Sequence, residues 1–357
     1  MTSRFAPSAT DVETGTASSG LMTRSPNPRR PKRRPWASTM PSRIALSFGL
    51  FFLVFLLLGM LRASNRGRNA GVTSKTPAVD STNTGQPNLF TFSVVAAYDH
   101  DPKAFTQGFE VYQREQDEGR IEEPTFIEST GLRGQSTVRE VAIATGEVIR
   151  STALADQDFG EGITRLGSRL YQVTWQGPKM ISYDVNDFSD KTVMSTHLKD
   201  GWGITNDGVN LIVGDSTHSL YFIDPKTTKT VKKIDVTDDG KPVTWLNELE
   251  WVDGLIYANI WQKECIVQIE PNTGNVVGWV DLSGIIDKVK TESSSDLHHG
   301  RIDVLNGIAW DEVDSKLYIT GKLWPKVYEI ELRPLYVDSR STNVEKRTAS
   351  IRRKCIL

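Results

Sequence analysis

Histidine and cysteine are scarce in this sequence: its 357 residues include five His and two Cys. No His-Glu-x-x-His motif occurs, and no two His stand at metal-ligand spacing. His298 and His299 are adjacent, but they lie in a Ser-rich polar stretch that reads as solvated loop. A histidine-bound catalytic metal therefore has no support in the sequence. A Gly-x-Ser-x-Gly elbow is missing too, which removes the usual seat of a serine nucleophile. So is a Gly-rich phosphate loop. No Asn-x-Ser/Thr sequon is present, so glycosylation gives no sign of a luminal location. Cys265 and Cys355 suit one disulfide in an oxidising compartment, or two free thiols, and residue types alone leave both open.

Long apolar runs are also rare; there is one. Residues 44–61 read IALSFGLFFLVFLLLGML, with Arg43 and Arg62 at the edges. That length is at the lower limit for a membrane-spanning helix, about 17–25 residues. A cleaved signal peptide has its apolar core nearer the N-terminus and small residues at its cleavage site. Here more than 40 residues precede the run and LRASNRG follows it. An uncleaved transmembrane signal anchor is expected. RRPKRR (29–34) and Arg43 outweigh Arg62, Arg66 and Arg68. The positive-inside bias then puts the N-terminus in the cytosol and the larger part in the lumen. The expectation is a single-pass type II membrane protein of the secretory pathway, in the ER or Golgi, where thin bilayers suit a short span.

Residues 1–43 carry 8 Lys/Arg against 2 Asp/Glu, a net +6, which leaves −8 for the remainder. The folded part thus offers no basic face, and nucleic acid is not an expected partner. Residues 1–43 read as a disordered basic tail and 62–90 as a stalk linker. Residues 91–333 form the folded domain, and 334–357 a C-terminal tail.

Within 91–333 short alternating strands are separated by Asp-Gly and Thr-Gly turns. A motif recurs, opening at Gly108, Gly162, Gly203, Glu248 and Gly307, which are 54, 41, 45 and 59 residues apart. A period near 40–50 with three or four strands per copy predicts an all-β fold, a five-bladed β-propeller. The fifth copy is one strand short. TFSVVAAY (91–98) is expected to supply it and close the ring, which removes exposed edges and fits a monomer. The two wide gaps read as polar loop insertions at 113–124 and 287–301.

In a propeller the first strand of each blade lines the channel, and loops at one mouth form the usual ligand site. The openings FTQG, FGEG, GWG, LNELE and VLNG offer Gln107, Glu161, Trp202, Asn247, Glu248 and Asn306. Second-strand ends add Trp175, Trp261, Lys322 and Trp324. Acids, a lysine, amides and indoles can therefore meet at one mouth. Read alone, each residue also has a plain structural role. Glu161 can pair with Arg165, Glu248 is a rival acid, and the tryptophans can pack between blades.

HDPKAFTQG (100–108), ESTGLRGQSTVRE (128–140), FGEG (159–162), KDGWGITNDG (199–208), LNELEW (246–251), NIWQ (259–262), VLNGIAWD (304–311) and TGKLWPKVYEI (320–330) resemble the plant-type glutaminyl cyclases in every copy and in order. That family consists of five-bladed propellers, and the likeness covers about residues 92–332. The two insertions depart from it. The resemblance implies an enzyme, a glutaminyl-peptide cyclotransferase. It would close the N-terminal Gln of peptides or proteins to pyroglutamate and release ammonia. It implies Glu161 as proton shuttle, with Asn247, Lys322 or an indole N–H as donors to the tetrahedral oxygen. Phe105, Gln107, Phe159, Trp175, Trp202 and Trp261 would bind substrate. No cofactor or catalytic metal is expected, while a structural ion on the axis is compatible. Two rival readings stand beside it: an ion-dependent propeller lactonase or esterase, and a propeller that binds without catalysis.

Overall fold

The computed structural model describes residues 86–114, 123–293, 302–335 and 343–356. The expected anchor at 44–61 lies outside them, and no helix among the described residues is long and apolar enough to cross a membrane. The chain enters on strand β1 (Asn88–Asp99) and then runs through antiparallel four-stranded units. The first is β2 (Thr106–Tyr112), β3 (Thr125–Thr130), β4 (Thr137–Ala142) and β5 (Val148–Ala153). The second is β6 (Gly160–Leu166), β7 (Arg169–Thr174), β8 (Lys179–Asp184) and β9 (Lys191–Ser195). The third is β10 (Ile204–Asn206), β11 (Leu211–Gly214), β12 (Ser219–Ile223) and β13 (Thr230–Asp235). A two-residue hairpin, β14 (Thr237–Asp238) and β15 (Lys241–Pro242), precedes the fourth unit: β16 (Leu246–Val252), β17 (Leu255–Ile260), β18 (Cys265–Ile269) and β19 (Val276–Asp281). Last come β20 (Leu305–Asp311), β21 (Lys316–Gly321) and β22 (Lys326–Pro334). This all-β arrangement is consistent with a propeller.

Strand chemistry follows position. The first strands β2, β6, β16 and β20 are almost wholly buried, because neighbouring units cover them. The fourth strands β5, β9 and β13 are mostly exposed and carry Arg, Lys, Ser and Thr, which suits a solvated edge. The apolar core lies between units: Val138 and Ile127 of the first meet Ile163, Leu170 and Ile181 of the second. Third-to-fourth strand turns are held by carboxylates that accept backbone N–H bonds from two and three residues on, as at Asp184, Asp224 and Glu270.

β1 pairs antiparallel with β22, from Phe90 opposite Pro334 to Asp99 opposite Lys326. The strand missing from the last unit is thus supplied by the start of the folded chain, as the sequence suggests. It begins at Asn88, and residues 88–90 also pair in parallel with Gly278–Val280 of β19. The end of the supposed stalk is therefore sheet, because Leu89 and Phe90 are buried apolar residues.

Two further segments differ from expectation. The second insertion is not a loop at its start: Ile285–Ser293 forms helix α1, with Ile285 and Val289 buried one turn apart. Glu264 caps it by accepting bonds from Gly284 and Ile286 N–H. The C-terminal stretch is also not a bare tail, for Asn343–Cys355 forms helix α2. A Cys265–Cys355 disulfide fastens it to β18, with Cα atoms 5.9 Å apart. Lys354 pairs with Asp281 at 2.8 Å. Arg352 Nε reaches Asp238 at 2.7 Å, and that carboxylate also accepts the Trp279 indole N–H at 2.9 Å.

The repeated glycines sit where first strands of adjacent units meet backbone to backbone. A Cβ on Gly108 would lie 2.3 Å from Ile163 N, and one on Gly162 2.6 Å from Ile204 N. One on Gly203 would lie 1.9 Å from the Asn247 carbonyl oxygen. Gly203→Ala should therefore cost about 1–3 kcal/mol or more in urea unfolding, since the obstacle is backbone; a loss under about 0.5 kcal/mol, the scatter of ordinary surface changes, would contradict this packing. Cys355→Ser opens a 90-residue closure. It should lower stability by about 2–4 kcal/mol relative to the oxidised protein, with reduced wild type matching the variant.

Candidate active site

The first strands carry equivalent positions just before each close approach: Gln107, Glu161, Trp202, Asn247 and Asn306. In four units the pairing register shifts there, between Thr106 and Gly108, Gly160 and Ile163, Leu246 and Leu249, and Leu305 and Ile308. Such bulges break the alternation of an ordinary strand and re-aim a side chain. The repeat thus turns one position out of the ladder in four units, while Trp202 of the third lies just before β10.

Glu161 is only 4% exposed. Its backbone is pinned, since its carbonyl accepts the Ser129 hydroxyl and Ser129 in turn accepts the Gln172 amide at 2.7 Å. Its carboxyl Oε1 accepts Gln107 Nε2–H at 3.1 Å. The Gln107 Oε1 accepts from Asn306 Nδ2 at 3.2 Å, and the same amide donates to the Thr106 carbonyl at 3.0 Å. A chain Asn306, Gln107, Glu161 therefore fixes the direction of each amide. Burial pushes the Glu161 carboxyl well above the usual carboxylate range; the Lys322 charge opposes this and Asp200 adds to it. Burial lowers Lys322, against the pull of Glu161 and Asp303. Lys322 Nζ stands 5.0 Å from the Phe105 ring centroid.

Two aromatic groups flank these residues. Phe159 meets Phe105 edge-on at 6.1 Å and Trp175 at 5.4 Å between centroids. Trp202 meets Trp261 edge-on at 5.8 Å. The structure thus joins Glu161 to Gln107, Lys322 to Phe105, Phe105 to Phe159 and Trp175, and Trp202 to Trp261. Asn247 occupies the matching place in the fourth unit, with no direct bond to Glu161 or Lys322 among the described residues. Its Oδ1 is buried and has no protein partner.

The rival acids are built into the scaffold. Glu248 Oε2 accepts Ile308 N–H and Glu250 Oε1 accepts Trp310 N–H, both at 2.8 Å, so each carboxyl ties its strand to β20. Burial raises Glu248, with the Glu250 charge adding to it and the backbone donors opposing. Glu161 does not pair with Arg165, whose guanidinium lies 5.5 Å from the Tyr112 ring and bonds the Gly167 carbonyl. Trp324 is packing: it is fully buried and donates its indole N–H to the Asp303 carbonyl at 2.9 Å. His100 and Arg139 are structural too. Burial would raise Glu128, but Arg139 and His100 hold it down to about 2. Among the described residues no three His, Cys, Asp or Glu come together with the geometry to hold a metal ion.

Sequence reasoning passed over Asp200 and Trp245. Asp200 accepts the Trp202 indole N–H at 3.1 Å and Gln176 N–H at 2.8 Å, fixing the indole. Both residues lie two places before a turned-out position, as Phe105 and Phe159 do, and extending the repeat register by two would have found them.

A buried carboxyl with a raised value stays neutral where a surface one has ionised. The protein at about pH 6 should show a protonated-carboxyl infrared band that the Glu161→Gln difference spectrum removes. Lys322→Met should carry that band to higher pH and Asp200→Asn to lower pH. The stability this carboxyl contributes is complete below its unfolded value and is lost as pH rises through the folded one. No difference band at pH 6 would refute the assignment.

Comparison with known proteins points one way. Residues 69–332 match the glutamine cyclotransferase family. Over 240 residues the chain is 43% identical to a glutaminyl-peptide cyclotransferase of Arabidopsis thaliana, covering 67% of this chain and 71% of that protein. The crystal structure of Myxococcus xanthus glutaminyl cyclase superposes with a TM-score of 0.59 at 29% identity, over 70% of this chain and all of the other. On sequence and fold together, the chain belongs to the glutamine cyclotransferase family.

Proposed function

We propose that this chain is a glutaminyl-peptide cyclotransferase that closes N-terminal Gln of peptides or proteins to pyroglutamate, with Glu161 moving the proton. The observation that carries the mechanism is the buried Glu161 carboxyl, turned out of its strand at a bulge and held by Gln107. The nucleophile is the substrate's own α-amine, whose pKa of about 7.7–8.0 leaves a neutral fraction near pH 7. Holding the folded-back rotamer brings it to the γ-carbonyl, a proximity effect. The C–N bond of the lactam forms as the carbonyl carbon becomes tetrahedral. One oxygen of Glu161 takes the proton from the attacking nitrogen, while its O–H protonates the leaving NH2. The C–N bond to that group breaks and ammonia departs, with the carboxyl back in its starting state. A carboxyl kept neutral by burial suits this double role.

Lys322 and Asn247 serve the tetrahedral oxygen. Asn247 has an amide oxygen without a protein partner, so its amide can turn to meet substrate. Phe105, Phe159, Trp175, Trp202 and Trp261 wall the site against water. Gln107 acts mainly on Glu161, since its Nε2 donates to that carboxyl while its Oε1 is taken by Asn306. The units form a closed five-bladed ring that works as a monomer and needs no catalytic metal. A structural ion on the axis is compatible with that ring. The Cys265–Cys355 disulfide supports an oxidising compartment. With the apolar run at 44–61, it favours a type II membrane protein whose catalytic part is luminal.

The full chain, given a Gln-initiated peptide, should release ammonia equally with and without chelator. Glu161→Gln should lower kcat by about 10²–10⁴. Release abolished by chelator and untouched by that substitution would overturn the mechanism.

A further inference from the structure

Trp245 stands beside Trp202 and Trp261, 37% exposed, with its backbone in the left-handed region at φ 64°. A bulky residue is rarely found there, and one that persists is held by its surroundings, most often at a functional site. Two bonds hold it: Trp245 N–H donates to the Ser216 carbonyl at 2.8 Å, and its carbonyl accepts Trp261 N–H at 2.9 Å. The ring lies 5.2 Å from Trp261 and 6.1 Å from Trp202 between centroids, so it adds a third indole to that wall.

Its place in the repeat is specific. Gly131 N–H bonds the Phe105 carbonyl and Trp175 N–H bonds the Phe159 carbonyl, as Trp261 N–H bonds that of Trp245. Trp245 is therefore the fourth-unit counterpart of Phe105 and Phe159. Those two are half-buried beside Lys322 and Trp175, whereas Trp245 keeps an open face at the rim. A peptide whose N-terminal Gln sits at Glu161 must carry its second residue outward past this rim. An exposed indole that is backed by two others and fixed on both sides of its backbone is a rigid platform for an apolar or aromatic side chain.

We infer that Trp245 is a specificity-determining residue, contacting the side chain that follows the N-terminal Gln and favouring aromatic residues there. The inference rests on the cyclotransferase reading. It is tested on the full chain with Gln-Phe-amide and Gln-Gly-amide, reading kcat/KM by ammonia release. The wild type should favour Gln-Phe by roughly tenfold, the scale of one good aromatic contact. Trp245→Ala should bring the ratio to about one, and Trp245→Phe should keep most of it. If Trp245→Ala gives no folded protein, Trp245→Asn replaces it, because Asn tolerates left-handed backbone. A ratio unchanged in the variant, a wild type without preference, or an equal loss on both peptides would overturn the inference. Absence of turnover by the wild type on either peptide would instead remove the cyclotransferase reading, and this inference with it.

Discussion

First strands of neighbouring units approach so closely along this structure that their backbones touch. That closeness is a steric condition before it is an energetic one. It requires residues without a Cβ at Gly108, Gly162 and Gly203, where even a methyl group would meet backbone of the next unit. It also determines what can stand beside those glycines. A strand with no room on its inner side can present a side chain there only by leaving the regular ladder, and the register shifts at Gln107, Glu161, Asn247 and Asn306 are the result. The bulges at these positions are thus tied to the packing between neighbouring units.

The same packing sorts chemically identical residues into different roles. Glu161, Glu248 and Glu250 are all buried acids on first strands. Glu248 and Glu250 have carboxyls that accept N–H groups of β20, so they are spent on joining strands. Among the described residues the Glu161 carboxyl accepts a side-chain amide, from Gln107, and its backbone is held separately through Ser129. Its carboxyl is therefore anchored without being used up. The Lys322 charge is close enough to oppose the rise of this carboxyl, and among the described residues the two share no hydrogen bond. Burial drives both groups toward their neutral forms, the state in which one carboxyl can give and take a proton in the same step.

Aromatic residues follow the same division. Trp279 and Trp324 are wholly enclosed and find partners for their indole N–H in Asp238 and the Asp303 carbonyl. Trp175, Trp202, Trp245 and Trp261 remain partly open. Nothing in the residue type separates the two sets. What separates them is whether the surrounding side chains close over the ring, as they do at Trp279 and Trp324.

Composition and spacing determined a good deal unaided. The Gly-opened repeat required short antiparallel strands in recurring units, and the unit short of one strand required a partner from the N-terminal side, which β1 supplies. The motifs around FTQG, FGEG and GKLWP carried the family. Three things needed the tertiary structure. A periodic pattern records which face of a strand is apolar, but a bulge is a local break in that pattern, so the outward turn of Glu161 was not readable from it. The helical start of the second insertion and the docking of residues 343–355 depend on Ile285, Val289, Ile351 and Cys355 finding buried partners far away in the chain. Finally, the different hydrogen bonding of Glu161 and Glu248 rests on partners 54 and 60 residues away, which no local sequence window contains.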